Sequence, residues 1–166
     1  MPRYGLLIAA CAAGLAFLVA PGHRSPLLIY NGSPSAPVGF YLRAGHTPSL
    51  GDYVIVRTVD AAPAYARERG FDDRSDRFIK RVAAVAGARV CARGNQVSVG
   101  SIVVTRYVRD DVRRPLPAWQ GCRLLDPDEV FLLGDTDDSF DSRYWGPLRR
   151  SQIDGAWRPL RRAREG

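Results

Sequence analysis

Hydrophobic positions along the chain fall into short runs separated by Gly, Pro and charged residues, except for one long apolar stretch at the amino end. The long stretch covers 4–20, which is 17 residues without a charge. The later runs are rich in Val, Ile and aromatic residues, and each is bounded by turn-forming residues. This pattern predicts a mainly β domain with little helix, preceded by one amino-terminal transmembrane helix.

The short apolar runs predict individual elements. A short apolar run, a Pro/Ser/Gly turn and an aromatic-rich strand are expected within 26–43, and a hairpin turning at Gly100 is expected within 96–108. A short helix is predicted over 62–69, before Gly70. Further strands are predicted at 50–57, 78–85 (ended by Gly87), 130–134 and around 153–157.

The amino-terminal stretch divides the chain into a membrane segment, 1–24, and a folded domain, 25–166. Its length is near the lower limit for a helix that spans a bilayer, and it also resembles a secretory signal. The small-x-small cleavage rule is poorly met after Ala20, because Leu18 occupies the −3 position and Pro21 would follow the cut. We therefore expect an uncleaved signal anchor rather than a removed signal.

Charge and cysteine content restrict the classes of function. The net charge is +7, but the basic residues are scattered apart from a carboxyl-terminal cluster at 158–166. This favours a solvated basic tail near a membrane surface over nucleic-acid binding. Cys91 and Cys122 have no CxxC spacing and no histidine nearby, so neither a metal site nor a cofactor is expected. They are either separate buried thiols or, if the domain is exported, a disulfide.

Lysine occurs once in this chain: 23 of the 24 basic residues are arginine, and the exception is Lys80. Strand alternation places Lys80 on one face with Phe78, Val82 and Ala84. Burial on such a face favours the neutral amine, and lowering the pKa from about 10.4 to about 8 costs the ammonium roughly 3 kcal/mol. Lys80 is thus a candidate general base, a role that arginine cannot fill. The alternative is a lysine at a strand end whose ammonium reaches water.

Two further segments carry candidate chemistry. The turn 31–39, N-G-S-P-S-A-P-V-G, presents serines just beyond the predicted anchor. The loop 134–148, G-D-T-D-D-S-F-D-S-R-Y-W-G-P-L, is dense in hydrogen-bonding groups and follows an apolar strand. Neither histidine, His23 or His46, lies in the context of a Ser-His-Asp triad.

Together with the lysine strand, these segments resemble the type I signal peptidase family, the Ser/Lys peptidases of group S26. Members carry a nucleophile turn, an apolar-K-R-V motif and a G-D-x-x-x-S-x-D-S-R motif. The resemblance is stronger to the conjugative-transfer (TraF-type) branch of that family. It covers about 31–148 and rests on S-A-P-V-G-F-Y (35–41), R-G-F (69–71), R-P-L-P-A-W-Q-G-C (114–122) and S-F-D-S-R-Y-W-G-P (139–147).

The resemblance implies a role for each matching residue. Ser35 would be the nucleophile and Lys80 its general base. The Ser33 hydroxyl and the Ser35 backbone N–H would donate hydrogen bonds to the oxyanion. Ser139 would orient the Lys80 amine.

The remaining motif residues would support the site. Asp141 and Arg143 would form a structural pair that holds the loop. Two departures from the family pattern stand out. The nucleophile turn reads Ser-Ala-Pro where housekeeping signal peptidases have Ser-Met-x-Pro, and Gly87-Ala88 replaces the usual Gly-Asp after the lysine strand.

The resemblance also implies a fold, a location and a substrate. We expect a signal-peptidase-like domain of antiparallel sheets in the periplasm, anchored by a single pass in the inner membrane. The expected substrate is an exported pilin-like precursor, cut after small residues and bound as an added strand. Other conjugation or type IV secretion components are potential partners. The choice between hydrolysis and cyclisation stays open, as do two alternatives: a general signal peptidase I, and a non-catalytic β scaffold on a membrane tether.

Overall fold

The computed structural model describes residues 26–71 and 76–160. The predicted anchor, 1–24, lies outside the described residues. Within those two ranges, no helix is both long and apolar enough to cross a membrane.

The described residues form eleven strands and a few short helices. The helices are α1 (Thr58–Ala61), α2 (Pro63–Arg69) and α3 (Ser142–Trp145), with a 3₁₀ turn at Arg150–Gln152. The strands are β1 (Leu28–Asn31), β2 (Gly39–Arg43), β3 (Tyr53–Arg57), β4 (Arg77–Val85), β5 (Arg89–Arg93), β6 (Gln96–Val99), β7 (Ile102–Thr105), β8 (Gly121–Leu124), β9 (Glu129–Leu133), β10 (Leu148–Arg149) and β11 (Ile153–Pro159).

These strands form two sheets in which every pair is antiparallel. The large sheet has the order β1-β2-β11-β3-β4-β9-β10, and the small sheet has the order β7-β6-β5-β8. The prediction of a mainly β domain with antiparallel sheets and little helix is confirmed. The sequence pattern missed β5, β8, β10 and α1, because each is short and its apolar residues do not form a distinct run.

Predicted turns and helix ends coincide with glycines in the left-handed region. Gly70 ends α2 with φ 66°, and Gly100 turns the β6–β7 hairpin with φ 59°. Only glycine adopts such angles without a steric penalty. The predicted helix 62–69 is therefore observed almost as expected, as Pro63–Arg69.

Three apolar clusters hold the sheets together. One cluster, including Val90, Val97 and Phe131, joins the small sheet to β4 and β9. The other two lie on opposite faces of the large sheet. One contains Val54, Val56, Ala61, Val82, Val130, Leu132 and Leu148, and the other contains Ala36, Tyr41, Tyr53, Ile55, Ile79 and Trp157.

Lys80 lies in the middle of β4, where it is opposite Val54 of β3. Phe78 and Val82 share its face, as predicted, but Ala84 does not. The register between β4 and β9 shifts between Val82 and Ala84, and this irregularity turns Ala84 to the opposite face, where it packs in the cluster with Phe131. The prediction for Ala84 was wrong because a β-bulge interrupts the two-residue period.

Cys91 and Cys122 face each other across β5 and β8. Their sulfur atoms lie 2.10 Å apart, at disulfide distance. The bond joins two neighbouring strands of the small sheet and fixes the end of the 114–122 segment. Of the two alternatives left open by the sequence, the structure favours the disulfide.

Candidate active site

The serine turn after β1 is held by Asn31. The Asn31 side-chain amide lies within hydrogen-bond distance of the carbonyl oxygens of Ser33 (2.8 Å), Ala36 (3.0 Å) and Pro37 (3.1 Å). Its oxygen accepts the Ser33 backbone N–H at 3.1 Å. One buried side chain thus closes the turn that presents Ser35. Asn31 was not predicted from the sequence, since its place before a glycine at a strand end is the only local signal.

The Lys80 amine lies between two serine hydroxyls. Its Nζ is 2.8 Å from Ser35 Oγ and 2.8 Å from Ser139 Oγ, and the residue is 3% exposed. Burial lowers the pKa of Lys80 to about 8, although the nearby Asp141 carboxylate acts in the opposite direction. This burial excludes the alternative of a lysine at a strand end whose ammonium reaches water. An amine in this position, once neutral, can accept the Ser35 proton.

Ser33 is close to the candidate nucleophile. Its Oγ lies 3.1 Å from Ser35 Oγ and accepts the Ser35 backbone N–H over 3.4 Å. The hydrogen bond from the Ser35 N–H is long, so this N–H can readily exchange Ser33 Oγ for a stronger acceptor. The two expected oxyanion donors are therefore neighbours in the structure.

Gly134 lets the 134–148 loop pass close to the serine turn. A Cβ at Gly134 would lie 2.0 Å from Ser139 Oγ and 3.0 Å from the Ser35 carbonyl oxygen. The Gly134 N–H donates to Asp141 Oδ2 at 2.8 Å, and the Asp135 N–H donates to the Ser35 carbonyl oxygen at 2.8 Å. Backbone hydrogen bonds thus tie the loop both to Ser35 and to its own acidic residue.

Asp141 and Arg143 form a buried ion pair. Arg143 Nε lies 2.9 Å from Asp141 Oδ1, and the two side chains are 1% exposed for Arg143 and 0% exposed for Asp141. The remaining guanidinium N–H groups donate to the carbonyl oxygens of Thr105, Thr136 and Asp137. A buried pair is tolerated when its hydrogen bonds are satisfied in this way. The geometry agrees with the expected supporting role, and it also connects the loop to the end of β7.

A second buried arginine, Arg106, was not anticipated from the sequence. It donates to the carbonyl oxygens of Arg143 (3.0 Å), Gly94 (2.8 Å) and Trp119 (2.8 Å). The Trp119 indole N–H in turn donates to the Ser142 carbonyl oxygen at 3.0 Å. These contacts brace α3 from the 106–119 segment. No local sequence signal distinguishes Arg106 from the other arginines.

Asp135 is held on the other face of β4. Arg81 donates to both carboxylate oxygens at 3.0 Å, and the Tyr53 hydroxyl donates at 2.6 Å. Burial alone would raise the pKa of Asp135, but the hydrogen bonds from Arg81 and Tyr53 hold it below the usual range. Because the Asp135 N–H donates to the Ser35 carbonyl oxygen, the contacts that hold Asp135 also hold the serine turn in place.

Residues 3–160 match the family model described as signal peptidase, peptidase S26. The chain belongs to the signal peptidase S26 family. This is a serine peptidase family, and the resemblance inferred from the motifs is confirmed.

Two relatives of this S26 member are plasmid transfer proteins TraF from Escherichia coli. Each is 32% identical, over 91% of this chain and 92% of the relative in one case, and over 94% and 93% in the other. A probable signal peptidase I-2 from Synechocystis is 32% identical over 65% of this chain and 45% of its own length. A signal peptidase I structure from Enterococcus faecalis covers 68% of this chain and 98% of its own, at 16% identity and a TM-score of 0.38.

Proposed function

We propose that this S26 family member is a membrane-anchored endopeptidase with a Ser35/Lys80 dyad that processes an exported, pilin-like precursor in conjugative transfer. The observation that carries the proposal is the buried Lys80 amine, whose Nζ lies 2.8 Å from Ser35 Oγ. The 32% identity to two plasmid transfer proteins supports the conjugative role.

In the first step, neutral Lys80 takes the proton of the Ser35 hydroxyl while Oγ attacks the carbonyl carbon of the scissile peptide bond. The oxygen of that carbonyl becomes negatively charged. Ser33 Oγ and the Ser35 N–H donate to it, and the long contact between them is given up in exchange. The hydrogen bond to Ser139 keeps the Lys80 amine oriented toward Ser35 during this transfer.

In the second step, the Lys80 ammonium returns its proton to the leaving amide nitrogen, the C–N bond breaks, and an ester to Ser35 remains. The acyl-enzyme is then resolved by the nucleophile that is positioned at its carbonyl. Water gives a linear product. An amine of the substrate itself gives a cyclic one.

Two features of the chain support the proposed anchor and compartment. The uncharged stretch 4–20 supports a single-pass anchor in the inner membrane. The pairing of Cys91 with Cys122 suits an oxidising compartment such as the periplasm. The proposed substrate is an extended precursor with small residues before the cut, which fits a family that acts on exported chains. Other conjugation components are proposed as partners.

The decisive test is Lys80→Arg, with precursor processing followed by mass spectrometry. Arginine keeps the charge but cannot lose its proton, so we expect processing to fall by at least about a thousandfold. Arg158→Lys makes the reverse exchange at an exposed position of β11 and serves as the matched control. Normal processing by Lys80→Arg would contradict the Ser/Lys mechanism and favour a non-catalytic β scaffold.

The same masses decide the product and the substrate class. A product lighter by one water than the linear cleaved peptide indicates cyclisation, and a linear product indicates hydrolysis. Equal processing of unrelated precursors that carry signal peptides would favour a general signal peptidase I. The similarity to a probable signal peptidase I-2 makes this the second candidate.

A further inference from the structure

A second groove opens beside the catalytic cleft, on the side of Ser139. Its walls come from α2, from the 107–116 loop and from the catalytic loop. Asp138 and Phe140 line this groove and also the cleft that contains Ser35 and Lys80. The two spaces are therefore adjacent and share this wall. The apolar lining consists of Tyr65, Tyr107, Leu116, Phe140 and Tyr144.

Aromatic contacts keep the walls of this groove in place. The Phe140 ring stacks on Tyr65 with centroids 3.8 Å apart and on Tyr144 with centroids 5.2 Å apart. The Tyr144 hydroxyl accepts the Tyr107 backbone N–H at 2.9 Å. Tyr107 itself stays exposed, at 56%. Three of the four aromatic residues thus pack on each other, while Tyr107 remains accessible to a ligand.

Ionic contacts join the two sides of the groove. Arg69 of α2 is almost fully buried and lies 3.7 Å over the Tyr65 ring. It pairs with Asp110 of the opposite loop at 2.9 Å, and Arg114 pairs with the same carboxylate at 2.8 Å. The groove is thus braced across its width, so a ligand that enters it meets a preformed surface.

The chemistry of the dyad sets which part of a substrate reaches this groove. The Lys80 ammonium must protonate the leaving nitrogen, so that nitrogen lies beside Nζ. Ser33, the oxyanion donor, contacts Ser35 on one side, and Ser139 contacts Lys80 on the other. We therefore expect the leaving segment to pass Ser139, whose neighbours Asp138 and Phe140 line both the cleft and the groove.

We propose that this groove binds the segment of the peptide substrate that leaves on acylation, and that it prefers a segment with aromatic or branched aliphatic side chains. The proposal rests on the Ser35/Lys80 function above. When an amine resolves the ester, it attacks from the same place, because the reverse path uses the same groups. Its proton passes to neutral Lys80, the ester C–O bond breaks, and Ser35 Oγ regains a proton.

The test compares two quenched fluorescent peptides with the same acyl side and the same scissile bond. One has a leaving segment of a single residue. The other has a leaving segment of about four residues, roughly 13 Å when extended, that includes an aromatic side chain. For the full-length protein in detergent, we expect kcat/KM to be about tenfold higher for the long segment. Tyr107→Ala is expected to abolish that preference, so that kcat/KM for the long peptide falls to the value for the short one.

Val108→Ala is the matched control, since Val108 is the exposed neighbour of Tyr107 and does not line the groove. It should keep the preference for the long segment. Circular dichroism and thermal unfolding of both variants establish that they fold alike. The subsite is overturned if the wild type cleaves both peptides at one rate. It is also overturned if Tyr107→Ala and Val108→Ala show the same preference for the long peptide. Failure to cleave either peptide would contradict the proposed function, and the subsite with it.

A second measurement follows the acyl-enzyme directly. Acceptor peptides added to the short substrate compete with water, and the ratio of the amide to the acid product reports their binding. An acceptor with an aromatic residue should give a ratio about tenfold above that of a glycine-only acceptor, and Tyr107→Ala should equalise the two. Equal ratios in the wild type would count against the groove.

Discussion

Lys80 shows how one side chain in a chain rich in arginine acquires a distinct chemistry. A guanidinium stays charged in proteins, whereas an amine loses its proton when burial makes the charge costly. The face of β4 that contains Lys80 supplies that burial through Phe78 and Val82, and two serine hydroxyls supply the hydrogen bonds that the amine needs. The pKa of about 8 leaves roughly a tenth of the amine neutral at pH 7, against a few parts in ten thousand for an ordinary lysine.

The pH dependence of peptidase activity tests this residue directly. A base must be deprotonated to act, so kcat/KM should rise about tenfold for each pH unit below 8 and level off above it. The sign follows from the role of a base, because protonation removes it as pH falls. Burial places the midpoint near pH 8 rather than near the ordinary lysine pKa of about 10.4. The measurement is kcat/KM for a peptide substrate from pH 6 to about 9.5, with unfolding monitored alongside. A profile that is flat, or that falls as pH rises to 8, would argue against Lys80 as the base.

At the scale of elements, the site depends on how closely the loop after β9 approaches the turn after β1. The Asp135 N–H joins the two by donating to the Ser35 carbonyl oxygen, and the Gly134 N–H holds the loop itself by donating to the Asp141 carboxylate. The approach leaves no room for a side chain at Gly134, because Ser139 Oγ occupies that space. The position of Ser139 beside the Lys80 amine therefore depends on the absence of a side chain at Gly134.

Gly134→Ala should separate the effects of loop position from those of the dyad. Its Cβ would sit 2.0 Å from Ser139 Oγ, so Ser139 must move away from Lys80. We expect about a hundredfold loss of kcat and a stability loss of about 1–3 kcal/mol. Gly45→Ala, where an added Cβ meets no atom within 4 Å, is the control. Kinetics and urea unfolding measure both effects, and wild-type values for Gly134→Ala would refute the packing argument.

At the scale of the whole domain, the small sheet supports the site without contributing to its chemistry. Arg106 and Trp119 extend from the segment between β7 and β8 to the backbone of α3. The disulfide fixes the end of that segment to β5. Long-range constraints of this kind matter in a domain whose candidate catalytic residues come from three separate parts of the chain.

Removing the disulfide should therefore reduce stability more than activity. Cys91 and Cys122 are 31 positions apart, and closing a loop of that length stabilises by about 3–4 kcal/mol in the chain-entropy model. The Cys91→Ala/Cys122→Ala protein should lose about that much free energy of unfolding and melt at a lower temperature. It should keep its activity at 25 °C. The bond is checked by comparing the mass added by alkylation with and without prior reduction. An equal added mass in the two cases would reject the bond.

Sequence patterns predicted the elements and residues whose signals are local. The helix before Gly70, the hairpin at Gly100 and the lysine strand depend on neighbouring residues, and all three are observed within a few positions of their predicted bounds. Ala84 was placed on the wrong face because a bulge depends on the partner strand. The short strands β5 and β8 were missed because their pairing, rather than their composition, makes them strands.

The sequence by itself determined the membership of the S26 family and the candidate residues, since a lone lysine in an apolar strand, a serine turn and an S-x-D-S-R loop are readable along the chain. Only the tertiary structure decided that Ser35, Lys80 and Ser139 share hydrogen bonds, and that Asn31 and Arg106 hold their loops. Arg106 acts on Arg143 across 37 positions, and no local pattern encodes such a contact. The physical reason is that burial and hydrogen-bond geometry, which set the pKa of Lys80, exist only after distant segments have packed together.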